Sequence, residues 1–216
     1  MKNKKGLFIT IEGGEGSGKT TQSKLLSKWM ESNNIKHFLT KEPGTEYLDE
    51  CIKIRKLLLD TKSDLNYKSE LLLFLADRAQ HVHKFILPKL EQGIHIICDR
   101  YSDSTRVIQS ARGLSRTKIN SLIEFSTSEL NPDITFILDM PVETGLKRAK
   151  AISIYEDGDR MESESPRFHE NIRQGFLKLA ESMDDRYYLI NVAPPATSEE
   201  IHEKVVEQVK KKLWEV

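Results

Sequence analysis

One stretch near the start limits what this chain can fold into more than any other. Directly after the apolar run Leu7–Glu12 come Gly13, Gly14, Glu15, Gly16, Ser17, Gly18, Lys19 and Thr20. They fit the pattern G-x-x-x-x-G-K-[ST] in the order strand, loop, helix. Glycines let the backbone turn tightly around a phosphate chain. Successive N–H groups and the N-terminus of the next helix then face the anion. Lys19 can reach terminal phosphates, and the Thr20 hydroxyl can join a Mg²⁺ shell. The pattern points strongly to nucleoside triphosphate binding and is silent about a second substrate.

Five short β-branched or aromatic runs stand out: Leu7–Glu12, Lys36–Thr40, Ile94–Cys98, Ile134–Asp139 and Tyr188–Val192. Most are apolar nearly throughout, which suits strands buried on both faces of a parallel sheet. Helical patterns lie between them, over Lys19–Ser32, Glu46–Leu59, Lys68–Leu90, Asp103–Gln109, Thr117–Phe125, Val142–Ala151, Pro166–Met183 and Ser198–Trp214. The expected architecture is α/β, a five-stranded parallel sheet flanked by helices, of P-loop NTPase type. Ligands of such sheets bind beyond the carboxyl ends of the strands. Glu12, Lys41-Glu42-Pro43, Asp99-Arg100-Tyr101 and Asp139 stand at those ends. Thr61-Lys-Ser-Asp64 imitates a guanine-reading motif, but it lies between two helices and is read as a solvated turn.

The 216 residues suit one domain, 1–216. Lys plus Arg and Asp plus Glu are 33 each, so the formal net charge is zero, which demotes nucleic acid as a partner. No apolar run approaches the ~18–20 residues of a membrane span. Met1–Lys5 is read as a solvated tail, not a leader, and cytoplasm is the default location. Cys51 and Cys98 make neither a disulfide framework nor a zinc site, and are read as reduced, partly buried thiols. The histidines are not spaced as metal ligands. Trp29 and Trp214 are read as packing residues.

Two pairs of residues suggest an acceptor site. Asp99 after an apolar strand is a usual place for a carboxylate that holds Mg²⁺, and Arg100 can grip phosphate in the same cleft. Phe74 and Arg78 share a helix face, offering a flat ring and a forked donor as a pyrimidine base requires.

With these residues the chain resembles bacterial-type thymidylate kinases of the P-loop nucleoside monophosphate kinase group. The resemblance runs through Phe8–Gln22, Lys41–Gly44, Glu70–Val82, Asp99–Thr105, Pro132–Asp139, Asp159–Glu162 and Phe168–Phe176. It implies transfer of the ATP γ-phosphoryl group to dTMP with Mg²⁺, in a homodimer, as a step of dTTP biosynthesis. Another pyrimidine monophosphate such as dUMP or UMP, or a nucleotide-binding module without transfer, stays open beside it.

By that resemblance, Phe74 stacks on thymine, Arg78 donates to its carbonyl edge, and Ser104 and Thr105 line the base. Arg100 holds the monophosphate, with Glu42 and Pro43 at that end of the cleft. Thr20 and Asp99 position Mg²⁺. ATP lies against the loop from Gly13 to Thr21, with Arg148 on its side. Glu15 is the acidic loop residue that meets the sugar 3′-hydroxyl and the catalytic assembly, alongside Lys19, Arg100 and Arg160. Gly16 stands where some relatives have an arginine. The missing charge is therefore assigned to Arg160, on a lid at about 148–165 made flexible by Asp157, Gly158 and Asp159. Three departures bear on the acceptor end. Lys41-Glu-Pro-Gly-Thr45 has Lys for Arg and one Gly fewer than the family pattern, and Arg55 nearby is left unassigned. Ile108 replaces a common aromatic, which shifts deoxyribose preference to Tyr101.

Overall fold

The computed structural model describes residues 6–152, 160–161, 163–182 and 184–214. Met1–Lys5, the lid residues Asp157, Gly158 and Asp159, Glu162 and Met183 therefore lie outside the described residues.

Among the described residues five parallel strands form one sheet in the order β2-β3-β1-β4-β5. They are β1 (Phe8–Gly13), β2 (His37–Lys41), β3 (His95–Asp99), β4 (Ile134–Asp139) and β5 (Tyr187–Asn191). All five apolar runs became strands, shifted by one residue at most. The order reverses at β1. Its neighbours are β3 on one side and β4 on the other, with Ile11 opposite both Asp99 and Phe136. The phosphate loop thus opens at the middle of the sheet's carboxyl rim, beside the end of β3.

Alternation along β1 divides the core. Ile9 and Ile11 face α1 (Lys19–Ser32) and α9 (Ser198–Trp214), where Leu26, Met30, Val205 and Val209 are buried. Phe8 faces the other way, against Tyr101 and the helical stretch around Val82, Phe85 and Ile86. Further along that layer, Ile137 packs on α5 (Ser102–Ala111) and α8 (Pro166–Ala180) through Val107, Ile108, Phe168 and Phe176. Leu71 and Leu75 of α3 (Tyr67–His81) meet Ile119 and Ile123 of α6 (Arg116–Thr127).

The pattern Lys68–Leu90 is not one regular helix. After α3 the chain makes a π-helical turn over Val82–Ile86, then resumes as α4 (Leu87–Glu91). Pro88 has no N–H to offer the preceding turn, and its ring needs room there. The widened turn supplies that room. The helix expected from Glu46 starts later, as α2 (Asp49–Leu59), and α7 runs over Val142–Ile152. Trp29 packs on the core beside α1, whereas Trp214 is 67% exposed and is not a packing residue. Thr61–Asp64 is part of the connection between α2 and α3. Both cysteines are free and buried, and burial pushes both thiols up. No helix among the described residues is long and apolar enough to cross a membrane.

Candidate active site

The phosphate loop is shaped by its glycines and by a neighbour. Gly16 and Gly18 have φ values of 64° and 91°, in the left-handed region that suits glycine. A Cβ on Gly16 would stand 1.9 Å from the Gly145 carbonyl oxygen, and one on Gly145 would stand 2.3 Å from that of Glu15. The loop tip is therefore seated on α7 by two facing glycines. Inside the loop, Ser17 Oγ and Lys19 Nζ both donate to the Gly14 carbonyl, at 2.9 and 2.7 Å.

Charge is concentrated here. Burial, aided by Arg100, pushes the Lys19 ammonium down to about 8, against the pull of Glu15, Asp99 and Glu12. Burial alone would raise the Glu15 carboxyl, but Arg100 and Lys19 outweigh it and hold Glu15 below its usual range. His169 and Arg55 act on Glu15 in the same direction. Thr20 Oγ1 donates to Asp99 Oδ2 at 2.5 Å, across the rim between α1 and β3. A hydroxyl and a carboxylate this close are hard oxygen donors of the kind Mg²⁺ takes alongside phosphate and water. These residues fit the ion expected from the sequence.

Arg100 joins the loop to the acceptor side. Its Nη2 donates to Glu15 Oε1 at 2.6 Å, and its Nη1 to the Gly13 carbonyl and to Ser104 Oγ, both at 3.0 Å. Next to it, Arg78 is 2% exposed. Its Nε donates to Glu42 Oε2 at 2.8 Å, Nη1 to Thr105 Oγ1 at 2.9 Å and Nη2 to the Tyr101 carbonyl at 3.0 Å. Burial works against the Arg78 charge and Glu42 more than restores it. Three of its five guanidinium N–H groups make these bonds. Glu42 is shared, its other oxygen lying 2.9 Å from His81 Nδ1. Phe74, one turn before Arg78 on α3, is half-buried and belongs to none of the apolar clusters among the described residues.

Several residues stand where the sequence did not put them. The Tyr101 ring is turned into the core, 4.8 Å from Phe8, with its hydroxyl on the Leu130 carbonyl. It faces α-helical packing instead of a sugar, because β3 ends by feeding that side chain beneath the sheet. What Tyr101 presents to the site is its carbonyl. Ile108 is likewise packed against α8. Asp139 is held in a two-pronged pair with Arg173, at 2.7 and 3.0 Å. Lys41 is half-buried and near Glu46. Arg55 is at the site: its Nη1 donates to the Pro43 carbonyl at 2.8 Å, and a Cβ on Gly44 would meet its side chain at 2.4 Å. The motif that is one glycine short folds down on Arg55, a contact no spacing rule announces.

Arg148 and Arg160 part company. Arg148 is exposed on α7, three residues past Gly145 and so on the side of the helix that touches the loop. Arg160 donates through Nη2 to buried Glu70 at 2.6 Å and through Nε to the Leu58 carbonyl at 2.9 Å. Glu70 also accepts from Gln109 and Arg112, and Arg112 reaches Glu164. This buried cluster ties α2, α3, α5 and the segment before α8 together. Among the described residues, the bonds given for Arg160 are to this cluster.

Known proteins resemble this chain over most of its length. The family model described as thymidylate kinase matches residues 11–205. A thymidylate kinase of Carboxydothermus hydrogenoformans is 45% identical over 188 residues, covering 87% of this chain and 89% of that protein. One of Halothermothrix orenii is 41% identical over 95% of this chain and 97% of its own length. One of Pelobacter propionicus is 42% identical over 94% of both.

Proposed function

The chain belongs to the thymidylate kinase family, and from that premise we propose that it transfers the γ-phosphoryl group of ATP to dTMP, giving dTDP and ADP. The observation that carries this reading is Arg100. One guanidinium bonds to the phosphate loop at Gly13 and Glu15 and to Ser104 of the acceptor helix. Donor and acceptor phosphates set on either side of it are within reach of direct transfer.

An oxygen of the dTMP phosphate attacks the γ-phosphorus while the bond to the ADP oxygen breaks. The acceptor oxygen is already ionised, so no strong base is needed, and catalysis is alignment and charge balance. Lys19 leaves the Gly14 carbonyl for the phosphate chain. Arg100 spreads its donors over the acceptor phosphate, with Glu15 setting its angle and meeting the sugar 3′-hydroxyl. Phe74 stacks on the base, and Arg78, framed by Thr105, reads its carbonyl edge. Glu42 and Pro43 shape the acceptor end, with Arg55 behind them. Thr20 and Asp99 would hold Mg²⁺, which neutralises charge on the phosphates when bound. Arg148 lies on the ATP side. Arg160, expected to serve the transferring group, is better supported as a holding residue through Glu70. The protein reads best as a cytoplasmic homodimer in dTTP biosynthesis, formed through the exposed Leu72 of α3 and Phe125 of α6.

A coupled assay of ADP release over a panel of nucleoside monophosphates tests the proposal. dTMP should give the highest kcat/KM. Equal rates for UMP and dTMP, or ATP binding without ADP release, would overturn it.

A further inference from the structure

Glu12 carries none of the roles above, yet it is fully buried one residue before the phosphate loop begins. Its carboxyl group reaches across from β1 to the start of α5. Oε1 accepts from the backbone N–H groups of Tyr101 at 2.8 Å and Ser104 at 3.2 Å. Oε2 lies 2.6 Å from Ser104 Oγ. That same hydroxyl receives Nη1 of Arg100 at 3.0 Å. A serine has one proton to give. An ionised carboxylate can only accept, so that proton goes to Glu12 while a lone pair of the hydroxyl takes the Arg100 bond. The result is a chain from guanidinium to hydroxyl to carboxylate.

The backbone makes the same point. Arg100 has φ of 69°, a conformation rarely adopted by a long side chain unless its surroundings impose it. The bond from Tyr101 N–H to Glu12 follows immediately and fixes that turn. Tyr101 also sits at the N-cap of α5 with no side-chain capping bond, where a Ser or Asp would ordinarily serve. Glu12 does this from another strand.

We infer that Glu12 is a positioning residue that aims Arg100 at the acceptor phosphate. The inference rests on the role of Arg100 proposed above. In its ionised form Glu12 accepts from all three partners. A glutamine whose oxygen serves the backbone pair turns a donating amide toward Ser104 Oγ, so the serine proton can no longer point there and the hydroxyl is held differently against Arg100.

The test measures dissociation constants of dTMP and of thymidine, which lacks the phosphate, by calorimetry on the full chain. The ratio of the two reads the grip on phosphate alone. Arg100→Ala should shrink that ratio by about tenfold or more, the scale of a charge-assisted bond. Glu12→Gln should shrink it about threefold or more, with thymidine affinity nearly unchanged, and should add little to Arg100→Ala. An unchanged ratio in a folded Glu12→Gln protein, where Arg100→Ala does shrink it, overturns the inference and leaves the Arg100 assignment standing. An unchanged ratio in Arg100→Ala overturns that assignment and the inference with it. Should Glu12→Gln not fold, Ser104→Ala cuts the same chain at its middle link. The same loss of ratio is then expected, and its absence refutes the aiming role.

Discussion

Lys19 and Arg78 illustrate two ways in which a buried cation can be readied for a ligand. Lys19 rests on the Gly14 carbonyl and can leave it, so Lys19→Ala should cut turnover strongly. Binding of dTMP, measured without ATP, should stay close to wild type; a parallel loss of both would mean that the loop is not a separate donor site. Arg78 is already fastened on three sides. Arg78→Ala should raise KM for dTMP by the equivalent of about 1–3 kcal/mol, and less for a monophosphate whose base lacks that carbonyl. Glu12 gives a prediction in pH. Burial, helped by Asp103 and opposed by Ser104 and Arg100, raises its carboxyl from the ordinary value to about 7. The folded protein therefore holds the proton more tightly than the unfolded chain does. Stability from this group is complete at acid pH and declines as pH climbs to about 7, with a slope of at most about 1.4 kcal/mol per pH unit. Asp77, raised to about 6 by burial and Glu42, adds a slope of the same sign. Glu12→Gln cannot ionise, so denaturant titrations between pH 5 and 7 should show a flatter dependence. A slope identical to wild type would place the titration elsewhere. Residue chemistry was legible in the sequence where a motif names the side chain, as at Lys19 and Arg100. It was not legible where direction decides, as for Tyr101, whose ring went to the core and whose carbonyl went to the site.

The elements were legible to the extent that their signals are local. Five apolar runs of five or six residues became five strands; the inner three, β3, β1 and β4, are largely buried on both faces as such runs suit, and the edge strands β2 and β5 only in part. Pro88 carried the signal for the break in the long helix, and its effect was felt upstream, over Val82–Ile86. Contacts between elements left no trace in spacing: Arg160 meets Glu70 across ninety positions of sequence, and Arg55 lies under Gly44 because a helix crosses there. The seat of the phosphate loop on α7 is another such contact. Gly145→Ala would drive a methyl group toward the Glu15 carbonyl. It should raise KM for ATP while leaving dTMP affinity within about twofold, since helix propensity at that position favours alanine. An unaltered KM for ATP would show that the loop yields freely. Arg160→Ala removes one of two guanidinium groups from a buried carboxylate, so it should lower the melting temperature more than it lowers kcat. A large drop in kcat with an unchanged melting temperature would return Arg160 to direct contact with the transferring group.

For the whole molecule, the sheet order places the glycine-rich loop and Arg100 at the carboxyl ends of the neighbouring strands β1 and β3, with apolar layers on either face. An α/β sheet was expected from the alternation of patterns. The gathering of Lys19, Thr20, Asp99 and Arg100 at one rim follows the rule that ligands bind at strand carboxyl ends. The proposed dimer rests on a surface feature, Phe125 being 85% exposed and Leu72 57%. Leu72→Glu with Phe125→Glu should convert a dimer to a monomer in sedimentation velocity, and a wild-type chain that sediments as a monomer would dispose of the dimer. The two thiols have a practical consequence. Cys51 and Cys98 are sealed inside and poorly ionised, so maleimide reagents should pass the native fold by. A single cysteine engineered on α7, at Arg148 for instance, would then take a fluorophore alone, and spectroscopy could follow that helix through turnover without first stripping the protein of sulfur.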